Sequence, residues 1–166
     1  MYRVCFVCTG NICRSPMAEA VFRARVAEAG FDGLVGVSSA GTGSWHVGEG
    51  ADPRTLAVLA AAGYPELDHA AQQFDAHSFA RHDLVVALDE GHAAELRALA
   101  RNPAEAAKVR LLRSYDPEAD PADREVPDPY YGGPGGFDVC LDLVEAAMPG
   151  LLVAVRDALD LEGARE

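Results

Sequence analysis

Cysteine is scarce in this chain of 166 residues, with four in all, and three of them crowd together as Cys5, Cys8 and Cys13. That clustering excludes the disulfide framework of a small secreted domain. Basic residues are short as well, since 14 lysines and arginines stand against 26 acids, a formal charge of −12. Nucleic acid and an anionic membrane surface are therefore not expected partners, and any anion site must be a local feature. No uninterrupted apolar run approaches the ~18 residues of a membrane-spanning helix, and Met1 leads into a strand pattern without a charged and apolar leader. The expected location is the cytoplasm, unless the protein is exported without a leader. The five histidines, at 46, 69, 77, 82 and 92, show no paired spacing, and no second ligand pair accompanies Cys5 and Cys8, so no metal site is expected. Composition is otherwise ordinary for a globular protein, 49% hydrophobic and 24% charged, and the length suits one domain over residues 1–166.

What is present concentrates in Val7-Cys-Thr-Gly-Asn-Ile-Cys-Arg-Ser-Pro16. The residues before it, Tyr2 to Val7, are rich in β-branched and aromatic side chains and predict a strand. Ser15 and Pro16 suit the cap and first position of a helix running to about Gly30. The loop between them opens onto a helix N-terminus, where unpaired N–H groups and the positive end of the dipole favour an anion. A thiol in that setting beside an arginine is favoured as thiolate, which makes Cys8 a nucleophile. Arg14 offers paired planar donors that match two oxygens of a phosphoryl group. Gly10 and Asn11 tolerate the left-handed region, so the N–H groups of the loop can curl inward as a nest. Ser15 can donate its hydroxyl to the Cys8 sulfur. Cys5-x-x-Cys8 is not a thioredoxin-like pair, because Cys5 lies inside the strand.

A second group stands far along the chain at Asp128-Pro-Tyr-Tyr131, between Pro127 and the glycines 132, 133, 135 and 136. Those neighbours predict a surface loop. An aryl or alkyl oxide leaves poorly without a proton, which a carboxyl such as Asp128 can supply. The rest of the pattern alternates. Strands are predicted at Leu34 to Ser39, His82 to Leu88 and Val109 to Leu112, with a short extended piece near Ala71 to Phe74. Helices are predicted at Pro53 to Ala62, capped by Asp52, at Glu90 to Arg101, and from Phe137 to about Leu161, where Pro149 should kink or divide the last. Runs of valine and leucine without alternation imply an α/β fold, a parallel sheet with helices on both faces.

The run CTGNICRSPMAEA, with its Cys-x5-Arg-Ser pattern, together with Asp128-Pro-Tyr-Tyr131, resembles the low-molecular-weight protein tyrosine phosphatases in their actinobacterial form. The resemblance implies a single domain with an open four-stranded parallel sheet of order 2-1-3-4 and the Cys8 loop at its switch point. It implies hydrolysis of phosphotyrosine in proteins, and of small aryl phosphates, through a phosphocysteine on Cys8. Thr9, Gly10, Asn11, Ile12, Cys13 and Ser15 would line the phosphate with Arg14, and Asp128 would act first as general acid and then as base. Tyr130 and Tyr131 would wall the pocket, with Trp45, the lone tryptophan, in a Gly-rich loop opposite. Ser39 and His69 match positions that hold the loop asparagine, here Asn11. Cys13 matches a residue that can form a reversible disulfide with the nucleophile, which implies oxidative protection of Cys8. No metal or cofactor is implied, the partners are tyrosine-phosphorylated proteins, and a monomer or weak dimer is expected. Arsenate reductases share the Cys-x5-Arg loop but need further cysteines, and none lies between Cys13 and Cys140. Protein arginine phosphatases carry threonine where this chain has Ile12. A noncatalytic phosphate-binding module would have no need of both Cys8 and Asp128.

Overall fold

Every residue from Val4 to Val7 is fully buried, and so is every residue from Val85 to Ala87, as strands covered on both faces require. The structure, a computed structural model, describes residues 1–133 and 135–165, with side chains through Leu161; the end of the expected 1–166 domain, Glu166, lies outside the described residues. Its strands are β1 (Tyr2–Cys8), β2 (Val35–Gly41), β3 (Leu84–Ala87) and β4 (Val109–Leu111). All pair in parallel in the order β2-β1-β3-β4. The helices are α1 (Arg14–Glu28), α2 (Pro53–Ala61), α3 (Glu90–Leu99), a single turn α4 (Pro103–Ala106) and α5 (Gly136–Arg165).

Alternation along β1 divides the interior. Val4, Phe6 and Cys8 face a core built with Met17, Phe22, Val144 and Met148 of α1 and α5, whereas Cys5 and Val7 face a smaller core with Phe74, Phe79 and Leu96. Because β1 has β2 on one side and β3 on the other, the chain leaves its carboxyl end where the strand order reverses, the place where open α/β sheets bind ligands.

Two expectations are corrected. The first helix starts at Arg14, with Cys13 at the cap position and no side-chain cap, so Ser15 is not the cap. Its hydroxyl is engaged with Asn11 and Cys8 instead. The last helix is neither divided nor ended at Pro149 but continues as one element. Met148 and Leu151, fully buried on either side, anchor that stretch, and their packing offsets the roughly 3 kcal/mol that a proline costs inside a helix. Gly150 allows the helix to touch the chain at Tyr115, whose carbonyl oxygen would lie 2.1 Å from a Cβ there. Asp52 does cap α2, accepting from the backbone N–H of Arg54. Sequence periodicity missed the 3₁₀ turns at Ala76–Arg81 and Leu112–Tyr115, which are too short to show a period. Among the described residues no helix is long and apolar enough to cross a membrane.

Candidate active site

The loop from Cys8 to Arg14 hangs between the end of β1 and the start of α1, and five of its carbonyl groups are engaged by the surrounding chain. Cys8 O accepts from Thr42 N at 2.9 Å, Thr9 O from Gly43 N at 2.9 Å, and Ile12 O from Asp52 N at 2.8 Å. Asn11 O meets His69 Nε2 at 2.7 Å, and Cys13 O accepts from Met17 N at 3.2 Å and Thr55 Oγ1 at 3.4 Å. Among the described residues, the N–H groups of Gly10, Asn11, Ile12 and Cys13 donate to no protein acceptor. Obligatory donors without partners, gathered over one sulfur at a helix N-terminus, form an anion nest.

Among the described residues Asn11 is the one non-glycine residue with positive φ, at 58°, and it is completely buried. Its side chain meets three partners. The N–H of Gln72 donates to Oδ1 at 3.0 Å, which fixes the amide's orientation, and Nδ2 donates to Ser15 Oγ and Ser39 Oγ, each at 2.9 Å. Ser39 gives its own hydrogen to the buried Glu19 at 2.6 Å. Ser15 Oγ thus accepts from Asn11 and keeps its single hydrogen for the Cys8 sulfur at 2.9 Å, with the Ala40 carbonyl farther off at 3.3 Å. The relay from Glu19 through Ser39, Asn11 and Ser15 aims a hydroxyl donor at the sulfur. Asn11→Ala should cost about 2 kcal/mol, from the left-handed backbone and lost hydrogen bonds, and should lower activity against aryl phosphates. Chemical denaturation together with rate assays checks this; an unchanged midpoint and an unchanged rate would refute the relay.

Arg14 is 4% exposed. Its Nη1 donates to Asp89 Oδ2 at 2.9 Å and to Val126 O at 3.0 Å, and its Nη2 lies 3.8 Å from Asp128 Oδ2. Asp128 stands half-exposed at the pocket mouth, its Oδ1 accepting from Tyr130 N at 3.0 Å. The loop that carries it is tied back at Val126, whose N–H donates to Leu88 O at the end of β3. Cys8, Thr9, Gly10, Ile12, Cys13, Arg14, Trp45, Asp128, Tyr130 and Tyr131 surround one cavity of about 370 Å³. Ser39 and His69 stay outside it, against Asn11. Trp45, 75% exposed, lies across Gly43, where a Cβ would sit 1.8 Å from the indole. Tyr131 is 91% exposed and meets Tyr130 edge-to-face at 4.8 Å, while Arg54 stacks on Tyr130 and donates to its carbonyl. Neither wall is core packing.

Three groups at this site had no sequence motif. His46 also lines the cavity and crowds Gly10, where a Cβ would come within 2.8 Å of the imidazole. Asp89 and His92 stand at the start of α3, beyond the carboxyl end of β3, and that position alone marks them. Burial opposes the Asp89 charge, yet the His92 N–H and Arg14 hold its carboxyl below the usual range. Thr9 Oγ1 lies 2.8 Å and Arg14 Nη2 3.5 Å from His92 Nε2. Arginine can only donate, so Nε2 accepts and the ring is neutral. Burial first, against Asp89 and helped by Arg14, lowers the His92 pKa from 6.5 to about 4. A base depressed in the folded state binds its proton more readily when unfolded. Stability should therefore fall as pH drops from 6.5 to about 4, by about 3 kcal/mol, and then level off for this group. The carboxylates lose their contributions only at lower pH. Denaturation across that range should show a flatter profile for His92→Asn; identical profiles would remove His92 from the account.

All four cysteines are free thiols. Burial raises Cys13 and Cys5 to about 12 and Cys140 to about 11, which keeps those three protonated. The sequence profile described as low molecular weight phosphotyrosine protein phosphatase matches residues 3–161. A low molecular weight protein-tyrosine-phosphatase of Streptomyces coelicolor is 67% identical over 159 residues, covering 96% of each chain. The low molecular weight protein-tyrosine phosphatase A of Mycobacterium tuberculosis is 51% identical over 148 residues, 89% of this chain and 88% of its own. The crystal structure of an Entamoeba histolytica protein tyrosine phosphatase with Hepes in its active site superposes with a TM-score of 0.89 at 32% identity, covering 95% of this chain and 99% of that one. Likeness on this scale, in sequence and in fold, covers nearly the whole chain, which belongs to the low molecular weight phosphotyrosine protein phosphatase family.

Proposed function

We propose that this protein hydrolyses phosphotyrosine in proteins, and small aryl phosphates, by passing the phosphoryl group through Cys8. The observation that carries the reading is the nest of unpartnered N–H groups above a sulfur that Ser15 contacts, with Arg14 and Asp128 in the same cavity. The thiolate attacks phosphorus in line with the aryl oxygen. As that P–O bond breaks, Asp128 delivers its proton to the departing phenolate, and the phosphoryl group remains on sulfur. Asp128, now a carboxylate, removes a proton from a water whose oxygen attacks phosphorus, the S–P bond breaks with its electron pair returning to Cys8, and inorganic phosphate leaves. Arg14 and the loop N–H groups hold the three equatorial oxygens through both steps, where negative charge spreads in the transition state. Asp89 fixes the Arg14 fork in that orientation. These groups together carry both steps within the protein.

Exposed aromatic faces at Trp45, Tyr130 and Tyr131 support an aryl ester over an aliphatic one, because a ring gains area and stacking there that a serine side chain cannot supply. Peptides of one sequence carrying phosphotyrosine, phosphoserine or phosphoarginine distinguish the readings by released phosphate. The phosphotyrosine peptide should be preferred in kcat/KM by at least about tenfold. Equal or better turnover of either alternative would overturn the assignment.

A further inference from the structure

A larger cavity, about 640 Å³, lies away from the Cys8 pocket and shares no lining residue with it. It opens between the edge strand β2, the start of β1 and the 3₁₀ turn at Ala76–Arg81. On this face of the sheet the smaller core rests on that turn and α3, and the outer edge of β2 carries no helix above it, so a groove remains.

Its chemistry runs against that of the whole protein. In a chain of charge −12, Arg3, Arg81 and His82 line the groove and no Asp or Glu does. Among the described residues neither arginine is ion-paired. The adjoining carboxylates are engaged by backbone donors, Asp75 accepting from the N–H groups of His77 and Ser78 and Asp83 from the N–H of Arg3, while Arg81 donates to Ser78 Oγ at 3.1 Å. His82 Nδ1 meets the Ser78 carbonyl at 2.8 Å, so it is the protonated nitrogen, and Nε2 accepts from Ser38 Oγ at 3.2 Å. Burial pushes the His82 pKa down against the Ser78 carbonyl and Asp83, and Arg81 and Arg3 push the same way as burial, so both guanidinium charges reach this ring. Two guanidinium groups outside any ion pair, beside a concave site that no carboxylate lines, favour an anion there.

The groove also touches the catalytic loop. Gln72, which lines it, donates from its backbone N–H to Asn11 Oδ1 at 3.0 Å and from Nε2 to Ser39 O at 2.9 Å. A ligand that shifts Gln72 therefore shifts the residue holding the left-handed turn of the nest.

We propose that this groove is a second binding site, for a small organic anion bearing a phosphate or carboxylate group, and that its occupancy is transmitted to Asn11 through Gln72. Arg3 and Arg81 grip the anionic group, and Gln73 and Ser38 offer hydrogen bonds to the body of the ligand. The site stands independently of the hydrolytic reading, because the test is made with the Cys8 pocket blocked by saturating vanadate. In that state, ribose 5-phosphate and citrate are titrated separately into isotopically labelled protein while amide resonances are followed. Saturable shifts at Ser38, Gln73 and Asn11 are expected with at least one probe, and which probe acts tells phosphate from carboxylate. Arg3→Gln and Arg81→Gln, at exposed positions, should each weaken binding by at least about tenfold, the effect of losing one charge-assisted hydrogen bond. Absence of saturable shifts with both probes, or shifts that survive in the double variant, would overturn the site. Shifts confined to the groove, with Asn11 unmoved, would overturn the transmission.

Discussion

Cys8→Ser should lose at least about 10⁴-fold in kcat against aryl phosphates while still folding and still binding vanadate or phosphate. Serine preserves the contact with Ser15 and the shape of the nest, since it changes only the buried atom 2.9 Å from that hydroxyl. A hydroxyl is a far weaker acid than a thiol and its oxygen a poorer nucleophile than sulfur, so the variant has no comparable attacking group. The variant therefore separates the two jobs of the loop, holding the anion and attacking it. Steady-state rates paired with calorimetric binding of phosphate read both. A variant with near wild-type turnover would remove sulfur from the mechanism, and one that no longer binds phosphate would show that the substitution damaged the nest.

Asp128→Ala should have the second largest effect, and its size should depend on the leaving group. For phenyl phosphate, whose oxygen departs as a strong base, the loss should reach about 10²- to 10⁴-fold, the range of a missing general acid. For an ester with a weakly basic leaving group, such as 4-nitrophenyl phosphate, the first step needs little help, so the loss should shrink. What loss remains comes from the second step, where water still requires a base. The Asp128 carboxylate lies 3.8 Å from Arg14 Nη2 and is held by the Tyr130 N–H, so the alanine variant also removes a negative charge beside the arginine. Phosphate binding should therefore hold or tighten while kcat falls. A plot of rate against leaving-group basicity that runs parallel for variant and wild type would exclude proton donation by Asp128.

Legibility in sequence followed how locally each feature is determined. Cys8 and Arg14 stand on one loop between a strand and a helix, and their relation needs only that short stretch of backbone. The parallel sheet was readable because Val4 to Val7 of β1 and all of β3 are unbroken apolar runs, and order 2-1-3-4 came with the family resemblance. The exact start of α1 was not readable. Ser15 has the propensity of a cap, yet Asn11 and Cys8 claim its hydroxyl, and that competition exists only once the loop has folded. Asp89 caps α3, since Oδ1 accepts the His92 N–H. Its other oxygen reaches Arg14 across 75 residues of chain, and no local pattern announces that pairing. His92 and His46 were passed over for the same reason: isolated histidines carry no spacing signal. Pro149 misled because its local cost is real, whereas the buried neighbours that outweigh it belong to the tertiary core.

The central claim is that the phosphoryl group rests covalently on Cys8 between the two steps, and the direct measurement is to catch it there. Wild-type protein mixed with excess 4-nitrophenyl phosphate, quenched within the first turnover and digested, should yield one phosphoryl group on the peptide bearing Cys8, rising and falling at rates that account for turnover. Hydrolysis at the full rate with that peptide unmodified, or with the phosphoryl group on any other residue, would contradict the account.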